Sequence, residues 1–315
     1  MGVSDPSKVE IVPEDQRPAN HGSMPLSGAG RRPWGRVERN RLLLWVGLGF
    51  IPPSLLIFGL HLSGGADRSE MTVRHDLPVK AILAFFALLA TVVVARVERR
   101  PLADYGLPVR QTFGLKFWEG AVWGFAVLSG LLGVLRWGGW FRIDSVDAGR
   151  GAFLHWAVGW ALVFLGVAFH EELIFRGYWL FTMSRRLGFW KTAWLLSAFF
   201  GAAHLGNHGE TVIGIAHVFA TGLLFCLIIR RTGNLWFAIG YHAAWDWAET
   251  FFYGTPDSGL LGVGRFLNTS THGPAWLTGG SAGPEGSLVS LAALAVCALL
   301  IHLRFPRAQY PDYPE

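Results

Sequence analysis

Six ionisable side chains could carry chemistry in this sequence, although they lie within segments that are otherwise apolar. Carboxylates and imidazoles of this kind can take a proton from water or bind a metal ion. An ionisable group at membrane depth costs several kcal/mol, so it usually faces a protein interior or a water-filled cavity. We therefore treat these six as a candidate site: Glu171, Glu172, Arg176, His204, His242 and Asp246.

Helical spacing divides the six residues into pairs and single groups. Glu172 and Arg176 are four residues apart, so they share a helix face, and we predict that they form a structural ion pair. Glu171 is turned by about 100° from Glu172 and can point elsewhere. His242 and Asp246 are also four residues apart, so the carboxylate can hold the imidazole or stand beside it.

Other polar residues in the same segments receive simpler interpretations. His217 has no partner at an obvious spacing, and we expect it to pack or to line a cavity. Glu249 lies near the end of its apolar segment, and we expect it at the membrane interface. The stretch HEEL does not complete the zinc motif H-E-x-x-H, because Ile174 stands four residues after His170.

The elements that must position these residues are long apolar segments. The chain of 315 residues is 51% hydrophobic and only 16% charged. A transmembrane helix needs about 20 mostly apolar residues. We therefore predict an all-α membrane protein, a polytopic bundle of about eight transmembrane helices, from eight stretches: 42–62, 77–95, 115–135, 155–183, 190–206, 211–229, 233–252 and 287–303.

Lysine and arginine are concentrated in every second loop between these stretches. Under the positive-inside rule this alternation predicts both termini in the cytoplasm. The basic pI of about 9.5 follows from these loops, so the charge gives no reason to expect nucleic acid as a partner. We expect an integral, multi-pass protein of a bacterial inner (plasma) membrane, with the lipid bilayer as its surroundings.

The predicted topology places the candidate residues at one depth. The fourth and fifth spans form a hairpin centred near Gly188, with Glu171 seventeen residues before that centre and His204 sixteen after it. His242 lies eleven residues beyond Arg231, about 15 Å into the seventh span. Three helices are thus expected to deliver acidic and imidazole groups to one level.

The predicted domain organisation is simple. Residues 1–40 are polar and rich in Pro and Gly, and we expect a flexible cytoplasmic N-terminal tail. Residues 41–305 form the transmembrane domain, and 306–315 form a short C-terminal tail. Cys226 and Cys297 lie inside predicted spans, so a disulfide framework is not indicated.

Three motifs on three predicted spans resemble the signature of the CaaX-processing and Abi (CPBP) intramembrane proteases. That signature is E-E-x-x-x-R, then F-x-x-x-H, then H-x-x-x-N or H-x-x-x-D. The chain has EELIFR from Glu171, FGAAH ending at His204 and HAAWD from His242. The similarity covers roughly residues 80–303, and GPEGS before the last span also resembles bacterial members.

The resemblance implies an eight-helix bundle that hydrolyses peptide bonds within the membrane, without a cofactor. Its substrates would be membrane-embedded or lipidated peptides or proteins. By analogy, Glu171 assisted by His204 activates the attacking water, while His242 and Asp246 stabilise the oxyanion. A carboxylate in an apolar cavity suits the role of general base, and donors aimed at an oxyanion count most where water is scarce.

The resemblance also implies that Glu172 and Arg176 support the site. At the last motif position, an ionised Asp246 would repel an oxyanion. Asp246 must therefore be protonated, or it must orient His242 instead.

Two other classes of function remain open at this point. One carboxylate and two histidines, here Glu171, His204 and His242, also form a catalytic zinc ligand set, so the same residues could serve a zinc protease. A His/Glu/Asp cluster inside a bundle also fits a proton-coupled transporter, or a membrane protein that confers immunity or organises partners. Inverted repeats would favour a transporter, and the two halves of the sequence show none.

Overall fold

The computed structural model describes residues 35–62, 70–147, 152–207 and 209–310. Most of the predicted N-terminal tail, up to residue 34, lies outside the described residues, as do residues 311–315 of the predicted C-terminal tail. The helices and strands below all belong to one compact unit that begins at Arg36.

Helices dominate the described chain, and each of the eight apolar stretches coincides with helical structure. The predicted all-α membrane bundle is confirmed. The first stretch is divided into two helices at Phe50, just before Pro52 and Pro53. The helices are α1 (Arg36–Gly49), α2 (Ile51–Leu62), α3 (Val73–Glu98), α4 (Leu115–Trp137), α5 (Phe153–Glu172), α6 (Tyr178–Leu187), α7 (Phe189–Ala203), α8 (Val212–Thr232), α9 (Trp236–Trp247), α10 (Ala275–Thr278) and α11 (Leu288–Arg304).

Length and composition separate these helices into two groups. In the described part of the chain, four helical segments are long and apolar enough to cross a membrane. They are α3, α4, the continuous segment Phe153–Leu187 and α8. The last helix, α11, is apolar but shorter. The length and composition of these helices identify the chain as an integral membrane protein. That it has eight spans stays a prediction.

In the part of the chain that the structure describes, four short strands lie in the loops between the helices. They are β1 (Glu70–Met71), β2 (Phe141–Val146), β3 (Leu261–Gly262) and β4 (Leu267–Thr271). β1 pairs with β3 in parallel, and β2 pairs with β4 in an antiparallel ladder. The long loop between α9 and α11 thus joins the loops that precede α3 and α5.

Contacts between loops show that alternate loops share one end of the bundle. The loop after α7 also reaches the long loop, because the Ser281 hydroxyl donates to the Gly209 carbonyl at 3.2 Å. At the other end, Arg186 in the last turn of α6 pairs with Glu38 at the start of α1. This alternation agrees with the predicted distribution of basic loops. Which end faces the cytoplasm stays a prediction.

Close packing of α4 against α9 fixes the helix that carries His242. The spacing of Gly120 and Gly124 predicts close helix packing in a membrane. In the structure, a Cβ added at Gly120 would lie 2.0 Å from the Phe237 carbonyl oxygen, and one at Gly124 would lie 2.2 Å from that of Tyr241. Only glycine permits this approach, which sets the position of α9 relative to α4.

We expect Gly120→Ala to lower the melting temperature of the detergent-solubilised protein, because the added methyl group must push α9 away. Overpacking of this kind costs about 1–3 kcal/mol. Gly130→Ala is a matched control in the same helix, since a Cβ there would have no atom within 4 Å. Equal melting temperatures for the two variants would contradict the role assigned to Gly120.

Candidate active site

A cavity of about 510 Å³ lies between the helices and brings together most of the predicted site residues. Four of the six line it: Glu171 from α5, His204 at the end of α7, and His242 and Asp246 from α9. The rest of the wall is largely apolar, with contributions from α1, α3 and α8. The expectation that three helices deliver these groups to one place agrees with this arrangement.

The other two predicted residues lie behind the cavity wall. Glu172 and Arg176 are both completely buried. Arg176 Nη1 donates to Glu172 Oε1 at 2.8 Å, so the predicted ion pair is present. A buried carboxylate and guanidinium need each other, because either one alone would be an uncompensated charge.

The helix changes from α to π geometry at this motif. Residues Leu173–Gly177 form a π-helical segment between α5 and α6. Such segments are rare and are frequently found at functional sites. Here the segment begins directly after Glu172 and contains Arg176, a local change that hydrophobic periodicity does not reveal.

Glu172 also fixes the orientation of His242. His242 Nδ1 lies 2.9 Å from Glu172 Oε1, so the ring nitrogen donates its proton to the same oxygen that accepts from Arg176. The other ring nitrogen, Nε2, lies 3.5 Å from Asp246 Oδ2 and 3.7 Å from Glu171 Oε2. Of the two roles left open for Asp246, orientation through Nδ1 thus belongs to Glu172 in this structure.

His204 is positioned by its own motif phenylalanine. Its Nδ1 lies 2.8 Å from the Phe200 carbonyl oxygen, so Nδ1 carries the donated proton and Nε2 is the remaining basic nitrogen. The Phe200 ring packs on the imidazole with centroids 4.7 Å apart. The Arg176 guanidinium also packs on the Phe200 ring, 4.0 Å from its centroid. Arg176 therefore supports His204 through Phe200 and His242 through Glu172.

Two residues that the sequence did not single out also line the cavity. Asp257 lies in the loop after α9, and Glu285 lies in the GPEGS turn before α11. Burial raises the pKa of Glu285 to about 8, and the negative charges of Asp257 and Glu210 add to this effect. Burial also raises the pKa of Asp257. The only sequence signal for either residue is the GPEGS resemblance.

The structure also shows where Glu249 and His217 lie. Glu249, which we expected at the membrane interface, is completely buried within the protein, and its depth in the membrane stays a prediction. It lies in a second π-helical segment, Ala248–Tyr253, which follows α9. His217 lines the cavity as expected, and its Nδ1 is 2.9 Å from the hydroxyl of Ser290, 73 residues away in the sequence.

The residues that could hold zinc are only partly arranged for it. Glu171 Oε2 and His242 Nε2 are 3.7 Å apart, a spacing that two ligands of one metal allow. Glu171, His204 and His242 do not bring three ligand atoms within 4.8 Å of one another, whereas Glu249, Asp257 and Glu285 do.

Comparison with known protein families matches the middle of the chain. Residues 153–248 match the family model described as type II CAAX prenyl endopeptidase Rce1-like. No curated protein and no solved structure gives a significant match to the chain. All six predicted site residues lie in the matched segment. The resemblance found in the sequence motifs is therefore confirmed: over residues 153–248 this chain is similar to the Rce1-like, type II CAAX prenyl endopeptidases, in agreement with a CPBP-type protease.

Proposed function

We propose that this protein is an intramembrane endopeptidase that hydrolyses peptide bonds of membrane-associated substrates with a water molecule activated by Glu171. The observation that carries the proposal is the position of the Glu171 carboxylate, 3.7 Å from His242 Nε2 in a largely apolar cavity between helices. The family match supports a CAAX-type endopeptidase in general. The catalytic steps below are our inference.

The first step is the attack of water on the scissile carbonyl carbon. Glu171 takes a proton from this water as the new carbon–oxygen bond forms, and the carbonyl oxygen becomes an oxyanion. His204 lines the same cavity and interacts electrostatically with Glu171. We infer that His204 positions the attacking water and stabilises the negative charge of the Glu171 carboxylate.

The second requirement is a donor for the oxyanion. Because Glu172 accepts the proton on Nδ1, His242 presents Nε2 to the cavity. A ring protonated on both nitrogens donates Nε2–H to the oxyanion while Nδ1–H stays on Glu172. Asp246 Oδ2 lies 3.5 Å from Nε2. A protonated Asp246 can donate a second hydrogen bond to the oxyanion, whereas an ionised Asp246 would stabilise the positively charged His242 ring.

Collapse of the tetrahedral intermediate completes the reaction. The carbon–nitrogen bond breaks, and Glu171 returns its proton to the leaving amine. The products are a new carboxylate and a new amine, and no oxidant, reductant or second substrate is required.

A cleavage assay tests this function directly. Purified protein in detergent, given quenched peptides with and without a C-terminal prenylcysteine motif, should cut at one bond that mass spectrometry locates. We expect turnover, measured well below the unfolding temperature, to survive treatment with a chelator, because Glu171 rather than a metal activates the water.

Two results would count against the proposal. Absence of cleavage of every peptide by folded protein would argue for a non-enzymatic membrane protein. Loss of turnover together with one zinc ion per chain, both restored by added zinc and that ion absent from Glu171→Gln protein, would assign Glu171, His204 and His242 to a metal mechanism.

A further inference from the structure

Three carboxylates converge beside the candidate active site without a role in the proposed reaction. Glu249 lies in the π-helical segment that follows α9, Asp257 lies in the loop after that segment, and Glu285 lies in the turn before α11. We call them the acidic cluster. One oxygen of each lies within 4.8 Å of the others. Glu249 is completely buried and Glu285 is 15% exposed, so their charges are poorly screened by solvent.

Few hydrogen-bond donors face the acidic cluster. The indole nitrogen of Trp245 lies 2.9 Å from Glu249 Oε2 and 3.0 Å from Glu285 Oε1, so the two carboxylates share a single N–H donor. The Thr250 hydroxyl is 3.3 Å from Asp257 Oδ2. Among the residues that the structure describes, Glu249 Oε1 has no hydrogen-bond partner. A buried charge without donors is costly unless a cation neutralises it.

A histidine provides an independent sign of a missing cation. The Ser290 hydroxyl donates its only proton to a backbone carbonyl, that of Ser287 at 2.7 Å or that of Glu285 at 2.9 Å. With the proton on its closest acceptor, the Ser287 carbonyl, the hydroxyl oxygen accepts from His217 Nδ1, 2.9 Å away. In the neutral ring His217 Nε2 then carries a lone pair, and this atom lies 3.7 Å from Glu285 Oε1.

Two electron-pair donors thus face each other inside the protein. The His217 side chain is only 3% exposed, and in the described part of the chain its Nε2 has no hydrogen-bond donor within reach. Ligand atoms held at about 2.1 Å from one metal lie about 3.0–4.2 Å apart, and the 3.7 Å between Nε2 and Oε1 falls in this range. The hydrogen bond from Nδ1 to Ser290 resembles the outer-shell contact that fixes a metal-binding imidazole.

We propose that Glu249, Asp257 and Glu285 bind one divalent cation, with His217 Nε2 as the nitrogen ligand beside Glu285. A set of carboxylate oxygens and one imidazole nitrogen favours Mn²⁺ or Zn²⁺ over Ca²⁺. The ion would tie the end of α9 to the loop before α11. Because His242 and Asp246 lie on α9, the ion stabilises the wall of the cavity without taking part in hydrolysis.

Binding of Mn²⁺ to the full-length protein tests this proposal without an activity measurement. Chelator-stripped protein in detergent is titrated with Mn²⁺, free ion is read by electron paramagnetic resonance, and unfolding is followed in parallel. We expect one Mn²⁺ per chain and a rise in melting temperature of about 5 °C at a hundred times Kd. Ca²⁺ should bind much more weakly.

Variants locate the ion. Glu249→Gln and Glu285→Gln should each weaken Mn²⁺ binding by at least about 100-fold. Without metal, both variants should melt at or above the temperature of the stripped parent, because each removes a repelling charge. His217→Gln should weaken Zn²⁺ more than Ca²⁺, and Glu171→Gln should bind Mn²⁺ like the parent.

Several results would overturn the site. The parent chain could fail to bind Mn²⁺ or Zn²⁺ up to about 1 mM, which would mean that protons alone neutralise the acidic cluster. Binding that survives in Glu249→Gln, or that is lost in Glu171→Gln, would place the ion elsewhere. A lower melting temperature of metal-free Glu249→Gln would show that the carboxylate stabilises the fold without a cation.

Discussion

Glu171→Gln is expected to abolish peptide hydrolysis, by about 10²-fold or more, while leaving expression and folding near those of the parent. The amide keeps the shape of the side chain and can still hydrogen-bond in the cavity, but it cannot accept the proton of the attacking water. The residue lines the cavity and lies outside the buried Glu172–Arg176 pair, so its charge is not needed for packing. Initial rates with one quenched peptide measure the loss.

Controls separate this effect from a general loss of charge. Glu70→Gln, at an exposed position in β1, should hydrolyse the same peptide at the parental rate. His204→Ala should resemble Glu171→Gln, because His204 shares the cavity with the base. Full activity of a folded Glu171→Gln protein would remove Glu171 from the role of base.

Sequence reasoning could predict the helices because each span is a long apolar run, and hydropathy is a property of the run as a whole. It could also place Glu171, His204 and His242 together, since helix rise and loop positions determine depth. The contact between His242 and Glu172 was not predictable in this way, because it depends on how α5 and α9 face each other across 70 residues. The π segment at Leu173–Gly177 also leaves no signal in apolar spacing.

The loop residues of the site were out of reach for a different reason. Asp257 and Glu285 lie in connections whose path is set by tertiary contacts, such as the pairing of β1 with β3. The burial of Glu249 was not predictable from its place near the end of an apolar segment, because it depends on the following loop, whose Thr255 N–H donates to the Glu249 carbonyl oxygen at 2.9 Å. The hydrogen bond between His217 and Ser290 was not predictable either, because it depends on the packing of α8 against α11.

Arg176→Met is expected to destabilise the protein by about 3–5 kcal/mol, because it leaves the Glu172 carboxylate buried and unpaired. Methionine fills most of the volume, so the loss reflects charge rather than a cavity. Arg176 is completely buried, pairs with Glu172 at 2.8 Å and lies 4.0 Å from the Phe200 ring. Activity should fall as well, since Phe200 and Glu172 position His204 and His242. Thermal unfolding in detergent and the folded fraction on size exclusion measure the effect.

The double variant Glu172→Gln/Arg176→Met is the matched control for this interpretation. It removes both charges, and the Gln side-chain oxygen can still accept the proton from His242 Nδ1. Replacement of a whole buried ion pair is often neutral, so the double variant should recover most of the stability lost in Arg176→Met. If the double variant is no more stable than the single one, the pair does not act through its charges. If Arg176→Met is as stable as the parent and only inactive, Arg176 acts in the chemistry, with its guanidinium as a further donor near His204 rather than as support for Glu172.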